Sequence, residues 1–566
     1  LNYLSKDKRI GMIAPLLYTT QGKIMDQGAK EPTPFRALIK YSFIDKLFPN
    51  NPISKNFWEK NWEKDKLNEV DNVPGTALMI RKDLFEKMGG FDERFFLYFE
   101  EFDLCNRVRR AGFKICIDSN SKLIHKWGTS TKLLKNKDEI FKKSRFYFFK
   151  KNYGLWKALL VESFLSINKT SLFLTFIILF AFLARIYMID SLVPFIGDQG
   201  WFFVSAKNFL MSNEIPLVGI TSSHLWLHQG PLWIYILIIL FKLFNFNPIA
   251  PFVFTAVMDG LVVILIYKLI SSMLSKRIAL FSTIIYAFSP MVILSARMSY
   301  HTSLIPLFIL IFIYSMFNFI KGNKYYFPLA IFSLSILYNL ELQAFMLSIL
   351  FFGITIFGLI KKTDWFKNIL SKKILLLSLF AFLIPMLPIL IYDIYNGFPQ
   401  TIVFGGWIIY KGVSFLIKFI EGESSGILVY ISIIDYLYEF IRKLIYMQNG
   451  ILSLFIFSLS FIIVFYKLFR EKITKEQNLG VFLTTIILLF LVVGIFVSKT
   501  PSNAYLMSLF IPFILFVSIM FDSTINSNKK YLVILLIILS MSFLNIYNLI
   551  SNDYFTGVKK NFGPNL

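Results

Sequence analysis

The feature that most constrains the fold is a series of long apolar stretches that recurs from residue 171 to the end of the chain. A helix of roughly 20 apolar residues is long enough to cross the hydrocarbon core of a bilayer. The chain is 56% hydrophobic, whereas soluble globular chains are about 45–50% apolar. The predicted spans are 171–189, 249–270, 278–295, 303–320, 325–340, 344–360, 374–392, 449–466, 479–497, 503–521 and 531–548. The sequence therefore predicts a polytopic α-helical membrane protein with about 11 spans.

The positions of Lys and Arg decide how a twelfth apolar stretch, 231–246, is interpreted. Short cytoplasmic loops of membrane proteins are enriched in Lys and Arg. The basic loops contain Lys276 and Arg277, Lys321 and Lys324, the segment 361–373, Lys467, Arg470 and Lys472, and Lys529 and Lys530. With the N-terminus inside, all these loops are cytoplasmic only if 231–246 does not cross. We therefore predict a helix at the outer surface for 231–246, an external C-terminus, and external segments at 190–248 and 393–448.

The formal net charge is +24, and in a soluble protein such a charge would indicate a nucleic-acid partner. Here the cations cluster in the loops between spans, so we predict no nucleic-acid partner. The two cysteines, Cys105 and Cys116, precede the first span and predict neither a disulfide framework nor a CxxC metal site. The first residue is Leu and no signal peptide is visible, so we expect an N-terminally truncated fragment.

Residues 1–160 are charged and predict a soluble domain ahead of the first span. The block 74–130 reads as a strand led by Gly75, a short helix over 82–88, and a stop at Gly89 and Gly90. A cluster of acids follows at the start of another helix: Glu100, Glu101 and Asp103. Acids at this position complement the helix dipole. The alternative interpretation is a general base that deprotonates an acceptor hydroxyl.

This block carries a long motif. Gly-Gly-Phe-Asp-Glu at 89–93 is followed by Phe-Phe, Tyr, Glu-Glu, Asp-Leu and Arg up to Arg107, and then by His125 and Gly128. The motif resembles the C-terminal half of the family 2 inverting glycosyltransferases with a GT-A fold, especially the rhamnosyltransferase-like members. The resemblance implies a partial α/β GT-A domain, because the nucleotide-binding half of the family, with its Asp-x-Asp metal motif, has no counterpart in 1–73.

The same resemblance assigns roles to four residues. Glu101 occupies the position of the catalytic base, and Asp92 and Asp103 are predicted to bind substrate. His125 is predicted to bind a metal or a diphosphate, with a structural hydrogen-bonding role as the alternative. The implied cofactor is a divalent cation, Mg²⁺ or Mn²⁺.

A basic and aromatic segment, 141–160, lies between this domain and the first span. A helix of this composition is predicted to rest on an anionic cytoplasmic leaflet, with its rings in the interface and its charges on lipid phosphates. That placement also puts the N-terminal domain in the cytoplasm.

The second candidate site begins at Gly197-Asp198-Gln199-Gly200-Trp201, just past the first span. A charge at the mouth of a membrane helix is costly, so Asp198 is predicted to be a catalytic base. The alternative is a helix N-cap. Arg297, with His228 or His301, is predicted to hold a phosphate, because a guanidinium suits bidentate contacts.

Two further features fall in segments that are predicted to be external. His224 and His228 stand four residues apart, which is half of a zinc site, but no Glu accompanies them and Pro231 follows closely. We therefore disfavour zinc. Glu341 and Gln343 fall at a tight turn on the predicted outer side.

The membrane part also resembles a family. The runs at 195–210, 228–233 and 286–306 resemble the GT-C polyprenyl-phosphate sugar transferases, which include protein O-mannosyltransferases and aminoarabinose transferases. The resemblance implies in-plane helices in the first external loop and maps the acidic residue of that loop onto Asp198. Gln229 lies near the position where aminoarabinose transferases carry lysine, and His301 lies near their second acid.

These inferences combine into one function. A GT-C-like domain over 171–566 is expected to transfer a sugar, with inversion, from a polyprenyl-phosphate carrier to a cell-envelope glycan, lipid or protein on the external face. The chain is expected to be a multi-pass protein of the plasma (inner) membrane, in contact with membrane lipids. The alternatives are a transporter or flippase of lipid-linked sugars and an inactive scaffold. Against a transporter, the sequence contains no internal repeat.

Overall fold

The computed structural model describes residues 2–42, 44–45, 48–59, 62, 66–126, 136–165, 169–190, 195, 197–222, 224–421, 427–470, 475–498 and 506–551. The chain divides into two compact units, Leu1–Thr175 and Phe176–Leu566. All four named strands belong to the first unit, and helices dominate the second. The predicted combination of an α/β part and a helical membrane part is confirmed.

The first unit is built on a four-stranded sheet with the strand order β2-β4-β1-β3. The strands are β1 Ile10–Tyr18, β2 Leu67–Glu69, β3 Met79–Ile80 and β4 Lys114–Ile124. The central strands β1 and β4 are parallel, and both edge strands are antiparallel to their neighbours. Parallel neighbours need a crossover connection, which is made here by the chain between β1 and β4. The strand predicted to start at Gly75 is shorter than expected and contains only Met79 and Ile80.

The helices of the first unit are Asn2–Lys6, Pro34–Lys40, Pro52–Lys55, Lys82–Lys87, Glu100–Arg110, Lys137–Tyr153 and Leu155–Leu165. The predicted stop after the Lys82–Lys87 helix is confirmed, because Gly89 and Gly90 have φ of +75° and +69°. One core cluster lies between the sheet and the Glu100–Arg110 helix and includes Met12, Leu104 and Ile117. The acid cluster of Glu100, Glu101 and Asp103 therefore lies on a helix that packs on the central strands.

The basic and aromatic segment differs from its prediction at two of its rings, and its contact with a leaflet remains a prediction. It folds as Lys137–Tyr153 followed by Leu155–Leu165, but Phe148 and Phe149 are fully buried in a second core cluster. Their rings contact the protein interior and not a lipid interface. The two rings are buried because the two helices of this segment pack on each other and on Phe95 and Phe99.

The second unit and the segment leading into it consist of helices whose bounds are Lys169–Ile186, Gly197–Ser212, Leu232–Leu243, Ala250–Met273, Lys276–Phe288, Pro290–Ala296, Ile305–Ile320, Tyr326–Leu340, Phe345–Ile360, Asp364–Lys367, Lys372–Asn396, Phe404–Glu421, Ile427–Ile445, Gly450–Arg470, Lys475–Ser498, Phe510–Ser523 and Asn528–Ser551. Short 3₁₀ turns connect several of them, at His301–Leu304, Leu342–Ala344, Asn368–Leu370 and Met507–Leu509. A π-helical turn, Pro399–Val403, joins Lys372–Asn396 to Phe404–Glu421.

Each of the eleven predicted spans coincides with an apolar helix. Among the described residues, seven helices are long and apolar enough to cross a membrane, and the pair Lys276–Phe288 and Pro290–Ala296, bent by 63°, makes an eighth if it is one span. The other three predicted spans are shorter apolar helices, Leu172–Ile186, Tyr326–Leu340 and Met507–Ser523. The stretch predicted not to cross forms Leu232–Leu243, whose 12 residues are about 18 Å long, well below a hydrocarbon core of about 30 Å.

A buried ion pair joins three of these helices. Arg185 Nε donates to Asp259 Oδ2 at 2.6 Å, and the Tyr286 hydroxyl donates to Asp259 Oδ1. Arg185 also donates to the Ala287 carbonyl oxygen at 3.1 Å. Both charged side chains are almost fully buried. Because a lone charge in an apolar interior is very costly, this pair fixes the relative positions of the helices that carry it.

Candidate functional site

Asp198 lies in the first turn of the Gly197–Ser212 helix and is exposed. The Tyr300 hydroxyl donates a hydrogen bond to Asp198 Oδ2 at 2.7 Å. Burial, this hydrogen bond and the negative charge of Asp198 raise the pKa of Tyr300, so the hydroxyl remains a donor at neutral pH. Since Asp198 is the second residue of the helix, it complements the helix dipole and does not occupy the N-cap. An exposed, oriented carboxylate of this kind can accept a proton from a bound hydroxyl.

The residues next to Asp198 and Tyr300 fix this arrangement. Gln199 is buried and donates to the Ser299 carbonyl oxygen at 3.2 Å. The rings of Tyr300 and His301 lie 4.1 Å apart between centroids, and the Phe202 ring lies 5.3 Å from that of His301. The segment that carries His301 therefore packs directly on the helix that carries Asp198.

His301 lies between Tyr300 and a second carboxylate, that of Glu341. Its Nε2 lies 3.8 Å from Glu341 Oε2, and Gln229 Nε2 donates to the same oxygen at 3.4 Å. All three side chains are largely shielded from solvent, and Glu341 and His301 are buried. Among the described residues, neither ring nitrogen of His301 has a hydrogen-bond partner, nor does Gln229 Oε1. Buried polar atoms without partners are rare in proteins and mark this cluster as a candidate for function.

Glu341 was not among the residues predicted to act in the site. The sequence shows only that it precedes a turn, and no local motif links it to His301. The helix Tyr326–Leu340 ends at Glu341, whose backbone is extended, and this break in the helix directs the chain into the 3₁₀ turn Leu342–Ala344. The only available sequence signal was an acid between two long apolar runs, which is an uncommon position for a charge.

The two histidines of the first predicted external loop, His224 and His228, contact different partners. The His228 backbone N–H donates to Gln400 Oε1 at 2.9 Å, and its ring lies 5.6 Å from that of Tyr392. Burial lowers the pKa of His228, so the ring is neutral at neutral pH. His224 stacks on Trp226 with ring centroids 5.8 Å apart. Within the described part of the chain, no three His, Cys, Asp or Glu side chains are placed to hold a metal ion.

Arg297 has a different environment from the one predicted. It is buried, and its Nη1 donates to the carbonyl oxygens of Arg185 at 3.0 Å and Tyr187 at 2.7 Å. The guanidinium thus satisfies orphan carbonyls at the end of the helix Lys169–Ile186. Burial lowers the pKa of Arg297 to about 10, which leaves it charged at neutral pH. Its predicted contact with a phosphate remains a prediction.

In the first unit, Glu101 has the environment of a poised base. Burial, followed by the nearby charge of Glu100, raises the pKa of Glu101 to about 7. The two residues that directly precede Glu100, Tyr98 and Phe99, have a left-handed backbone with φ of 68° and 69°. Such a conformation costs about 1–3 kcal/mol for a bulky residue and is found most often at functional sites. A carboxyl group that titrates near neutral pH suits general base catalysis.

The two other predicted acids of this unit are tied into an ion-pair network. Lys151 Nζ lies 2.8 Å from both Asp92 Oδ2 and Asp103 Oδ1. Arg107 Nε also pairs with Asp103, and Arg94 with Asp92, each at 2.9 Å. The hydrogen bond from Arg94, with those from Lys151, holds the pKa of Asp92 well below its usual range. The structure therefore gives both acids a packing role, and their contact with substrate remains a prediction.

His125 directly follows β4, where its backbone N–H donates to the Tyr18 carbonyl oxygen at 2.9 Å. Its role in binding a metal or diphosphate remains a prediction, as does the divalent cation itself. Gly128 of the same motif lies outside the described residues.

Comparison with known proteins gives two separate similarities. Residues 228–392 match the family model described as dolichyl-phosphate-mannose-protein mannosyltransferase. The N-terminal region is similar to the N-acetylglucosaminyl-diphospho-decaprenol L-rhamnosyltransferase of Mycobacterium tuberculosis. That match has 26% identity over 135 residues, which is 23% of this chain and 42% of the relative. The chain thus spans about two fifths of the length of that curated relative.

Two solved structures are similar over most of the chain. One is ArnT from Cupriavidus metallidurans bound to undecaprenyl phosphate, with 10% identity, a TM-score of 0.45, and coverage of 68% of this chain and 65% of that one. The other is the Archaeoglobus fulgidus oligosaccharyltransferase in complex with Zn and sulfate, with 13% identity, a TM-score of 0.43, and coverage of 66% and 52%. The predicted resemblances, to a family 2 rhamnosyltransferase and to the protein O-mannosyltransferases, are confirmed by the rhamnosyltransferase match and by the family model over 228–392.

Proposed function

We propose that the second unit is a membrane glycosyltransferase that uses a polyprenyl-phosphate sugar as its donor. The observation that carries the proposal is the pairing of an exposed carboxylate, Asp198, with a buried polar cluster formed by His301, Glu341 and Gln229 through Tyr300. The family similarity at 228–392 supports it, because that stretch contains every member of the pairing except Asp198. The donor, the external face and the acceptor classes named above are part of this proposal.

The proposed reaction begins with the transfer of a proton from the acceptor to Asp198. Asp198 accepts the proton of an acceptor hydroxyl, and the resulting oxygen attacks the anomeric carbon on the face opposite the phosphate. The bond between the anomeric carbon and the phosphate oxygen breaks, and the polyprenyl phosphate leaves with the electron pair. The configuration at the anomeric carbon is inverted. Tyr300 positions the carboxylate. Of the predicted phosphate ligands, Arg297 offsets the charge of the leaving group, and His228 and His301 donate hydrogen bonds to it.

Glu341 has a positioning role in this scheme. Glu341 Oε2 lies 3.8 Å from His301 Nε2 and accepts a hydrogen bond from Gln229, so it holds these two side chains in position. Glu341→Gln keeps the shape of the side chain but removes the carboxylate, and it is expected to lower kcat more than it raises KM.

The first unit is proposed to contribute the C-terminal half of a family 2 transferase, with Glu101 as the base for its acceptor. In this role it makes the donor or another part of the same glycan. The rhamnosyltransferase similarity and the environment of Glu101 support this part.

The test separates transfer from transport. The purified chain is placed in liposomes with undecaprenyl phosphate that carries a radiolabelled sugar, and membranes from cells lacking the chain supply the acceptors. A transferase moves the label out of the lipid fraction and releases undecaprenyl phosphate. A flippase moves the intact labelled lipid across the bilayer, and an inactive scaffold changes neither distribution, so either outcome would end the proposal.

A further inference from the structure

The helix Leu155–Leu165 presents an apolar face that no described residue covers. Leu155, Trp156, Leu159 and Leu160 are all exposed, and Trp156 is 83% exposed. We call these four side chains the Trp156 face. They lie at positions i, i+1, i+4 and i+5, which share one side of an α-helix.

The opposite side of the same helix is fixed firmly to the first unit. Ala158 and Val161 are fully buried in the cluster that contains Phe148. Glu162 forms a two-point contact with Arg145, with N–O distances of 2.6 and 2.8 Å. Such a bidentate pair holds a helix in one rotation about its axis. The outward direction of the Trp156 face is therefore set by packing.

The composition of this part of the chain indicates which partner covers the face. Lys142, Lys150 and Lys157 are exposed on this helix and on the preceding helix Lys137–Tyr153. Exposed Trp and Leu on one side of a helix, with Lys nearby in the chain, suit binding to the interface of an anionic bilayer. Trp is also enriched at the level of lipid headgroups.

Chain continuity limits the distance to the membrane. The apolar helix Lys169–Ile186 starts four residues after Leu165. Four extended residues reach at most about 14 Å. The end of the Leu155–Leu165 helix therefore lies within that distance of the start of a helix predicted to enter the bilayer.

We propose that Leu155–Leu165 lies in the plane of the lipid–water interface and docks the first unit to an anionic bilayer through the Trp156 face. The segment 141–160, which the sequence predicts to rest on the leaflet, includes Trp156, and the proposal assigns that contact to the Trp156 face. Packing links the docked helix to the acid cluster, because Phe99, next to Glu100, belongs to the same core cluster as Ala158 and Val161. The proposal does not depend on sugar transfer.

The test uses the full chain in nanodiscs that contain anionic lipid. Trp156→Cys and Leu160→Cys each receive a fluorescent label, and Lys82→Cys, on an exposed helix of the same unit, is the control. The native Cys105 and Cys116 are buried, and labelling of the unsubstituted chain measures any background. We expect lipids with a nitroxide near the headgroup to quench the labels at 156 and 160 at least threefold more than the label at 82.

Two other outcomes would overturn the proposal. If water-soluble iodide quenches the labels at 156 and 160 as strongly as the one at 82, the face is open to solvent. If neither quencher reaches them, protein covers the face. Replacing anionic lipid with neutral lipid should reduce the nitroxide effect, and an unchanged effect would remove the role of the lysines.

Discussion

At the scale of single residues, the site depends on what holds Asp198 in place. The Tyr300 hydroxyl donates a hydrogen bond to the Asp198 carboxylate, and Tyr300 lies beside His301 in the chain and in space. The sequence singled out Asp198 as a charge at the mouth of a membrane helix, His301 as a phosphate ligand, and Gln229 through a family resemblance. It could not single out Tyr300 or Glu341, because their roles arise from contacts between distant segments that no local pattern encodes.

The first prediction concerns Tyr300. Tyr300→Phe removes one hydrogen bond to a charged group, a loss of about 1.5–3 kcal/mol, and is expected to lower kcat about 10- to 100-fold with little change in KM for the donor. Tyr395→Phe, at an exposed tyrosine of the same unit, is the matched control and should leave both constants unchanged. Equal rates for the two variants would remove Tyr300 from the site.

The second prediction concerns the titration of Glu101. An infrared difference spectrum between the wild type and Glu101→Gln isolates the carbonyl band of the protonated acid, whose midpoint is expected at a pH of about 7. Because the charge of Glu100 contributes to the raised pKa of Glu101, Glu100→Gln should lower this midpoint. A midpoint near 4.5, the ordinary value, would show that Glu101 is solvated.

The same shift has a consequence for stability. Glu101 binds its proton more tightly in the folded unit than in the unfolded chain. The contribution of this proton to the free energy of unfolding is therefore fully present below pH 4.5 and is lost as the pH rises through about 7. The full shift corresponds to at most roughly 3 kcal/mol. A base near neutral pH is thus maintained at a cost in stability, as is usual in active sites.

At the scale of helices, the hydrophobic pattern located an apolar helix or a bent helix pair at each predicted span. The topology drawn from the loop charges, in which Leu232–Leu243 does not cross, remains a prediction. The pattern could not show how the helices are joined. Arg185 and Asp259 each stand near or inside an apolar run, and only the fold reveals that they are partners. In the basic and aromatic segment, composition could not show that Phe148 and Phe149 face the protein while Trp156 is exposed.

The third prediction tests that ion pair. Asp259→Asn leaves Arg185 charged and buried without its counter-ion, which is expected to cost about 3–5 kcal/mol and to lower the thermal midpoint of the detergent-solubilised chain by several degrees. The double variant Arg185→Met with Asp259→Leu removes both charges and should recover most of the loss. If the double variant is no more stable than Asp259→Asn alone, the cost does not come from an unpaired charge.

At the scale of the whole molecule, the account depends on which side of the membrane holds Asp198. The fourth prediction uses cysteine variants and a membrane-impermeant maleimide applied to whole cells. Asp198→Cys should react and Lys276→Cys, in a predicted cytoplasmic loop, should react only after lysis. Labelling at 276 without labelling at 198 would invert the topology and end the proposal of transfer on the external face.

The central claim is that the Asp198 carboxylate removes a proton during sugar transfer. The most direct measurement is the transfer rate from radiolabelled undecaprenyl-phosphate sugar by Asp198→Asn, compared with Asp190→Asn, an exposed aspartate eight residues earlier. A general base contributes about 10²- to 10⁴-fold, so the account predicts a loss of that size for Asp198→Asn and a wild-type rate for Asp190→Asn. A well-expressed Asp198→Asn variant that transfers sugar at the wild-type rate would contradict it.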